Sequence, residues 1–254
     1  VTSESFKRRV YDSYLSSADG GRTDRSAADR AAVIGPRAAY LQRLVRRHFP
    51  ADREARILDL GCGAGALLAV ARQAGYRNLA GVDHSAEQVA LAERLGIAGV
   101  RRGDLAESLA AAAPGALDLV VLFDVLEHFP LDQGLALLEQ AARALAPGGR
   151  IVIHVPNAEA LFGARIRYDD LTHETAFTPR SIAQLLSLAG FARSAVFEDR
   201  PAVHGLKSAL RALVWRLVRG ALRLALAAET GDSGRQAVFS QNLLAVADKA
   251  RAAR

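Results

Sequence analysis

Between Arg56 and Val155, short apolar runs alternate with longer amphipathic stretches. "RILDL", "LAGVD", "AGVRRGD", "LDLVVLFD" and "RIVIHV" have the length and aliphatic content of buried strands. Between them, "ALLAVARQAG" and "SAEQVALAERLG" repeat apolar residues at helical spacing, the second opened by Ser85 with Glu87 and Gln88 in its first turn. "LDQGLALLEQAARALAPGG" predicts a further helix, stopped by Pro147-Gly148-Gly149. Strands alternating with such helices build a parallel, doubly wound α/β sheet, and these sheets bind ligands beyond the carboxyl ends of their strands.

Outside this block the pattern changes. Ahead of it, an amphipathic helix is expected around Phe6 to Leu15, then a turn-rich connector, then a helix capped by Asp29 that runs to His48. Behind it, "LKSALRALVWRLVRGALRLALAAE" places Leu206, Leu210, Leu213, Leu217, Ala221 and Leu224 on one helical stripe. Arg216, Arg219 and Arg223 fall on the other side, with Trp215 near their border. Such a helix either packs its stripe on its own domain, pairs with a second copy as a homodimer, or makes peripheral contact with an anionic membrane.

Composition narrows the function classes. A chain of 254 residues with 50% hydrophobic and 24% charged residues is a folded globular protein with one sizeable core. The net charge of +6 raises a nucleic-acid reading. The basic residues, nearly all Arg, are scattered without a run beside aromatics, so no nucleic-acid partner is expected. The single Cys62 excludes an internal disulfide and favours a reducing compartment. The stretch "TSESFKRRVYDSYLSS" has no secretory h-region, and no apolar run approaches the roughly 20 residues that span a bilayer. A cytoplasmic location, with or without peripheral membrane contact, is the expectation.

"LDLGCGAG" sets Gly61, Gly63 and Gly65 between a strand and a helix, where glycine permits positive φ and close approach of a ligand. Taken alone the loop also matches a degenerate dinucleotide fingerprint. Asp83 ends the second strand, about twenty residues on, where a carboxylate can accept from both hydroxyls of a ribose. Asp104 ends the third strand, placed to receive an adenine amino group, and Asp59 precedes the glycines. An added carboxylate does nothing for a pyrophosphate but attracts a cationic sulfonium and ammonium where water is sparse. The electrostatics therefore favour a positively charged nucleoside over NAD(P).

With "GVDHS", "GDL", "LDLVVLFDVLEHF" and "LAPGGRIVIHVPN" following "ILDLGCGAG" in order, the stretch from Arg56 to Asn157 resembles class I S-adenosylmethionine-dependent methyltransferases. The resemblance implies a Rossmann-like seven-stranded sheet in the order 3-2-1-4-5-7-6, strand 7 antiparallel, helices on both faces. "FARSAVFED" and "VFSQNLLAVADK" are then strands 6 and 7. It implies S-adenosyl-L-methionine as cofactor and S-adenosyl-L-homocysteine as product. Asp59 and Gly61, Cys62, Gly63 and Gly65 would meet the methionine part, Asp83 and His84 the ribose, Asp104 and Leu105 the adenine. Phe123 and Asp124 would line the wall beneath the sulfonium, and Tyr14 of "YDSY" resembles the aromatic segment that folds over the cofactor. Cys62 is expected to be a small neutral filler.

Methyl transfer to a hydroxyl needs alignment and a base. Glu127 and His128 follow the fourth strand and Asn157 the fifth, all at the carboxyl edge. The stretch "RYDDLTHETAFTP" leaves that edge and adds Tyr168, Asp170, His173 and Glu174. Thr178 and Pro179 suffice to start the next helix, which frees the upstream cluster for the acceptor. His173 and His128 are the candidate bases, with Asp170 or Glu174 orienting the ring of His173. Glu127, Asn157, Tyr168, Asp170 and Glu174 are candidate acceptor contacts. No metal is expected; Asp124, Glu127 and His128, joined by His173, are the residues that would hold one.

The C-terminal third further resembles bacterial saccharide and natural-product methyltransferases, which tilts the expected acceptor towards a small-molecule or saccharide hydroxyl. The domain plan is residues 1–50 as N-terminal helices covering cofactor or substrate, and 51–250 as the methyltransferase domain. Within the latter, 156–178 is an acceptor-side loop and 203–229 a basic helical insertion between strands 6 and 7. The alternatives are a quinone methyltransferase with a divalent metal, a nicotinamide-dependent oxidoreductase, and a non-catalytic binding protein.

Overall fold

The computed structural model describes Lys7, Val10, residues 30–200, 205–231, Gly234 and 237–251. Seven strands form one sheet: β1 (Ile57–Leu60), β2 (Leu79–Asp83), β3 (Val100–Arg102), β4 (Leu117–Phe123), β5 (Leu145–Pro156), β6 (Phe191–Glu198) and β7 (Asn242–Lys249). Their order is β3-β2-β1-β4-β5-β7-β6, as the resemblance implies. The strands from β3 to β5 pair in parallel, and β7 runs antiparallel to both β5 and β6. β1, β4 and β5 lie centrally, which is why "ILDL", "LVVL" and "IVIHVP" read as unbroken buried runs rather than alternating ones.

Helices cover both faces. On one, α1 (Arg30–His48) and α2 (Ala66–Gln73) pack Leu41, Leu44, Leu68 and Val70 against Leu119, Val121 and Val152. On the other, α4 (Leu105–Ala111), α5 (Leu131–Ala144) and α7 (Pro179–Leu188) pack Leu109, Leu138 and Ile182 against Val120, Leu122 and Ile151. α3 (Ala86–Arg94) starts at Ser85, whose hydroxyl accepts from the Gln88 amide. α7 starts with a Thr178–Ser181 capping box and Pro179 in its first turn, so the signals read from sequence at both positions hold.

Other details depart from the pattern. The sequence pattern does not predict α4, capped by Asp104, because the helix is only seven residues long. The short α6 (Gly163–Asp169) lies within residues 156–178, which the sequence reads as an acceptor-side loop. α5 ends at Ala144, ahead of Pro147-Gly148-Gly149; β5 begins at the buried Leu145, which pairs with Leu117 before a register shift. Asp29, Tyr14 and most of the expected Phe6–Leu15 helix lie outside the described residues.

α8 (Leu206–Thr230) is a single 25-residue helix between β6 and β7, but its stripe is not packed on its own domain. Arg219 is turned inward, where its guanidinium pairs with Glu198 at 2.8 Å, and the leucine stripe faces solvent. Trp215 is half-buried on the inward side.

Candidate active site

The carboxyl ends of β1, β2 and β4 converge on a crevice built by backbone conformation. Gly61, Gly63 and Gly65 all have positive φ. At Gly61 a Cβ would sit 2.3 Å from Val125 Cγ2, so a side chain is excluded by contact as well as by φ. The amides of Gly61 and Cys62 donate to the Val82 carbonyl, Gly65 to Cys62, and Gly63 to Asp83 Oδ2 at 2.7 Å. These donors are spent inside the fold, whereas a phosphate cradle presents its amides to the ligand.

Asp59 is fully enclosed, and its Oδ1 has no hydrogen-bond partner. Burial, and then the charge of Asp83, push its carboxyl up to about 8. Burial also raises Asp83, opposed by the amides of Ser85 and Gly63, which donate to its two oxygens at 2.8 Å and 2.7 Å. Each Asp83 oxygen keeps a second lone pair for a hydroxyl donor. A buried acid with an unanswered oxygen and the half-buried Asp83, beside a self-satisfied loop, fit a cationic nucleoside and not a pyrophosphate.

The remaining cofactor-side candidates divide. His84 Nε2 lies 3.3 Å from Asp104 Oδ2, while Asp104 Oδ1 accepts from the Glu107 amide as the cap of α4. Leu105 is not a crevice wall: its side chain is buried in the core beneath α4 and α5, because it opens a helix whose apolar side faces the sheet. Cys62 packs its sulfur over Gly81, where a Cβ would come within 2.7 Å. Burial raises its thiol, in keeping with a neutral filler.

Asp124 has φ 57, the only positive-φ residue other than glycine among the described residues. His154 holds it there: Nδ1 lies 2.5 Å from Asp124 Oδ1, and Nε2 lies 3.3 Å from Asp199 Oδ2. Burial alone would lower the His154 imidazole; the charge and hydrogen bond of Asp124, then those of Asp199, raise it to about 10. Desolvation would raise Asp124, but the imidazolium outweighs it and keeps the carboxyl below its usual range. Phe123 stacks on His154 at 4.2 Å, and Tyr40 of α1 closes over both rings edge-on. The sequence reading missed His154, Asp199 and Tyr40; an ionisable residue inside the apolar run "IVIHVP" was the available signal.

On the acceptor side the stretch from Arg167 to Pro179 folds back onto the residues after β4. The Glu174 and Thr175 amides both donate to the Glu127 carbonyl. Thr172, almost fully buried, donates its hydroxyl proton to Asp170 Oδ1 at 2.6 Å and lies 2.8 Å from His128 Nδ1. With its one proton committed to the carboxylate, the hydroxyl accepts from Nδ1–H, which fixes the tautomer and leaves the lone pair of His128 on Nε2. Burial, then repulsion from His173, lower His128 to about 4, so the ring is neutral at ordinary pH. His128 and His173 face each other with centroids 4.8 Å apart.

Several expected roles change. His173 is oriented by the Ile166 carbonyl, 3.0 Å from Nδ1, and not by Asp170 or Glu174. Asp170 serves His128 through Thr172, and Glu174 pairs with Lys7 at 2.8 Å. Lys7 also donates to the His128 carbonyl, which brings this lysine to the site. Tyr168 is 73% exposed beneath the Arg167 guanidinium. Asn157 is fully buried with every side-chain group used: it donates to the Val238 and Ser240 carbonyls and accepts from the Glu159 amide. It ties loops together and has no group left for an acceptor.

Glu127, His128 and His173 offer ligand atoms within 4.8 Å of one another. Burial, then the charge of Asp124, raise the Glu127 carboxyl, whose Oε2 lacks a partner. Asp124 does not join this group, because His154 claims its carboxylate.

Residues 34–194 match the family described as "Methyltransferase domain". The chain belongs to this family. Among its relatives are the ubiquinone biosynthesis O-methyltransferases of Ralstonia nicotianae and Cupriavidus pinatubonensis. The first is 32% identical over 56% of this chain and 63% of that protein; the second is 29% identical over 53% and 59%. The chain thus spans about three-fifths of the length of these curated relatives. The fold is shared with a SAM-dependent methyltransferase from Archaeoglobus fulgidus (TM-score 0.63, 20% identity, 94% of this chain and 100% of that one). It is shared also with magnesium protoporphyrin IX methyltransferase from Synechocystis with bound SAH (TM-score 0.58, 18% identity, 97% and 99%).

Proposed function

We infer that the protein transfers a methyl group from S-adenosylmethionine to a hydroxyl oxygen of a small-molecule acceptor. The observation that carries this reading is the buried Asp59 with its unpartnered oxygen, beside Asp83 and a loop that offers no phosphate cradle. When bound, the cofactor supplies a methyl group on a good leaving group, so the protein's tasks are alignment and deprotonation. Asp59 receives the ammonium, Asp83 the ribose hydroxyls, and Asp104 with His84 marks the adenine end. The His154 imidazolium holds Asp124 at the wall of the crevice. His128 is the base, taking the acceptor's proton at Nε2 while Thr172 and Asp170 hold Nδ1–H.

The names of the two curated relatives favour a quinone-precursor hydroxyl over the saccharide hydroxyl expected from sequence. The test is transfer of a labelled methyl group to a panel of quinone precursors, saccharides and nucleotide sugars, with stabilisation by S-adenosylhomocysteine measured in parallel. Stabilisation by NADH without methyl transfer to any acceptor would overturn the reading.

A second reading is favoured by the convergence of Glu127, His128 and His173. In this version the three side chains would hold a divalent cation, which would supply Lewis acidity to the acceptor hydroxyl. Activity that is lost on chelation and restored by a divalent ion supports this version; activity that survives chelation supports His128 as base.

A further inference from the structure

A helix on the surface of a soluble domain turns its apolar stripe inward and its charges outward. α8 also turns a leucine row outward. Leu206, Leu210, Leu213, Val214, Leu217 and Leu224 are each more than half exposed, and the helix buries no residue fully. At 1.5 Å per residue the row from Leu206 to Leu224 is about 27 Å long. On the inward side Arg219 is ion-paired with Glu198, itself only 6% exposed, the Arg223 stem lies against Gly234, and Trp215, Val218, Leu222 and Leu226 are half-buried. Arg219 and Arg223 are thus turned towards the domain, and the leucine row is what the helix presents outward.

An exposed apolar row of this size marks a docking surface, and its borders say for what. With about 100° between successive residues, Lys207 and Arg211 lie along one edge of the row and Arg216 along the other. The helix carries five basic residues and a single acid, Glu229, beyond the end of the row. We propose that the outward face of α8 docks the protein on an anionic lipid bilayer. The leucines enter the acyl boundary, and the long stems of Lys207, Arg211 and Arg216 reach back to lipid phosphates. No described helix is long and apolar enough to cross a membrane, so α8 lies on it. A second copy of the chain is a poorer match: its stripe has the same cationic borders, which would face their like across a two-fold interface. A lipid headgroup layer supplies the missing negative charge.

The test is co-sedimentation of the full chain with vesicles of phosphatidylcholine alone and of phosphatidylcholine mixed with phosphatidylglycerol. Binding is expected to the mixed vesicles and to weaken with added salt. Leu213→Glu with Leu217→Glu should lower the partition coefficient roughly a hundredfold. Arg211→Ala and Arg216→Ala should each lower it roughly fivefold on mixed vesicles, with little change on phosphatidylcholine. All four side chains are on the outward side, so unfolding midpoints should stay at the parent value. Failure to bind either vesicle, or binding indifferent to the leucine changes, overturns the proposal. So does a dimer in solution that the leucine changes dissolve.

Discussion

His154 and Asp124 form an ion pair across neighbouring strands, with Nδ1 2.5 Å from Oδ1, at the one non-glycine position among the described residues that adopts positive φ. A left-handed backbone is unfavourable for aspartate, and persists where surrounding contacts over-determine it. Here those contacts are the imidazolium and, behind it, Asp199. His154→Gln leaves two carboxylates facing a neutral amide. It is expected to lower unfolding free energy by about 2–3 kcal/mol in urea titration, towards the low end because Asp124 is 40% exposed and screened. Because the folded pKa is raised, from 6.5 to about 10, the contribution is complete below pH 6.5 and disappears as pH rises through about 10. The variant should lose that alkaline limb of the stability curve. An unchanged limb would assign it to another group.

Asn157 tests the difference between a tie and a ligand. Its amide closes three backbone groups from two loops in a site with no exposure. Asn157→Ala is expected to lower stability by about 3 kcal/mol, since buried polar groups lose their partner. Turnover per folded molecule should be preserved. A folded variant with parental melting temperature and impaired turnover would restore Asn157 as an acceptor contact.

Local pattern was sufficient for the strands because a central strand buried on both faces is written as a continuous aliphatic run, and "ILDL" and "LVVLF" are such runs. The acids at the strand ends were legible for the same reason: once β1, β2 and β3 are placed, Asp59, Asp83 and Asp104 follow. Periodicity also drew the leucine stripe of α8, although Arg216 borders it on the outward side and does not join Arg219 and Arg223 inward. It could not say which side faces inward, because that depends on Glu198, on another element, pairing with Arg219. The acceptor cluster was located but miswired. Asp170 is three residues from His173 and forty-two from His128, yet Thr172 delivers it to the distant histidine. Such pairings arise from how a loop folds back, and sequence proximity is a poor guide to them.

Asp59 links cofactor binding to pH. In the free protein its carboxyl is raised to about 8; a bound ammonium would draw it down, so binding releases a proton. Affinity for S-adenosylhomocysteine, measured by calorimetry, is expected to rise with pH by up to about tenfold per unit and to level off above about pH 8. Asp59→Asn should bind more weakly near pH 8 and show no such slope. The same raised acid works against the ligand-free fold. It holds its proton more tightly folded than unfolded, so its contribution to stability falls as pH rises from about 4 through about 8. A slope that persists in Asp59→Asn would move the titrating group elsewhere, Asp83 being next in line.

The relay from Asp170 through Thr172 to His128 makes the sharpest demand on kinetics. If His128 is the base, its replacement removes a positioned proton acceptor, and His128→Ala should lower kcat by about a hundredfold or more while S-adenosylhomocysteine affinity is retained. Thr172→Val keeps the shape but removes the hydroxyl that fixes Nδ1–H, so part of the population presents the wrong nitrogen. A smaller loss follows, about tenfold in kcat, and Thr172→Ser should recover it. Burial and His173 place the His128 pKa at about 4, so the ring stays an acceptor well below neutrality. The kcat profile should therefore be flat from about pH 8 down to about pH 5 and fall only towards pH 4. Turnover that survives His128→Ala and collapses in His173→Ala would transfer the proton to the other ring, whose Nδ1 is fixed by the Ile166 carbonyl and needs no hydroxyl.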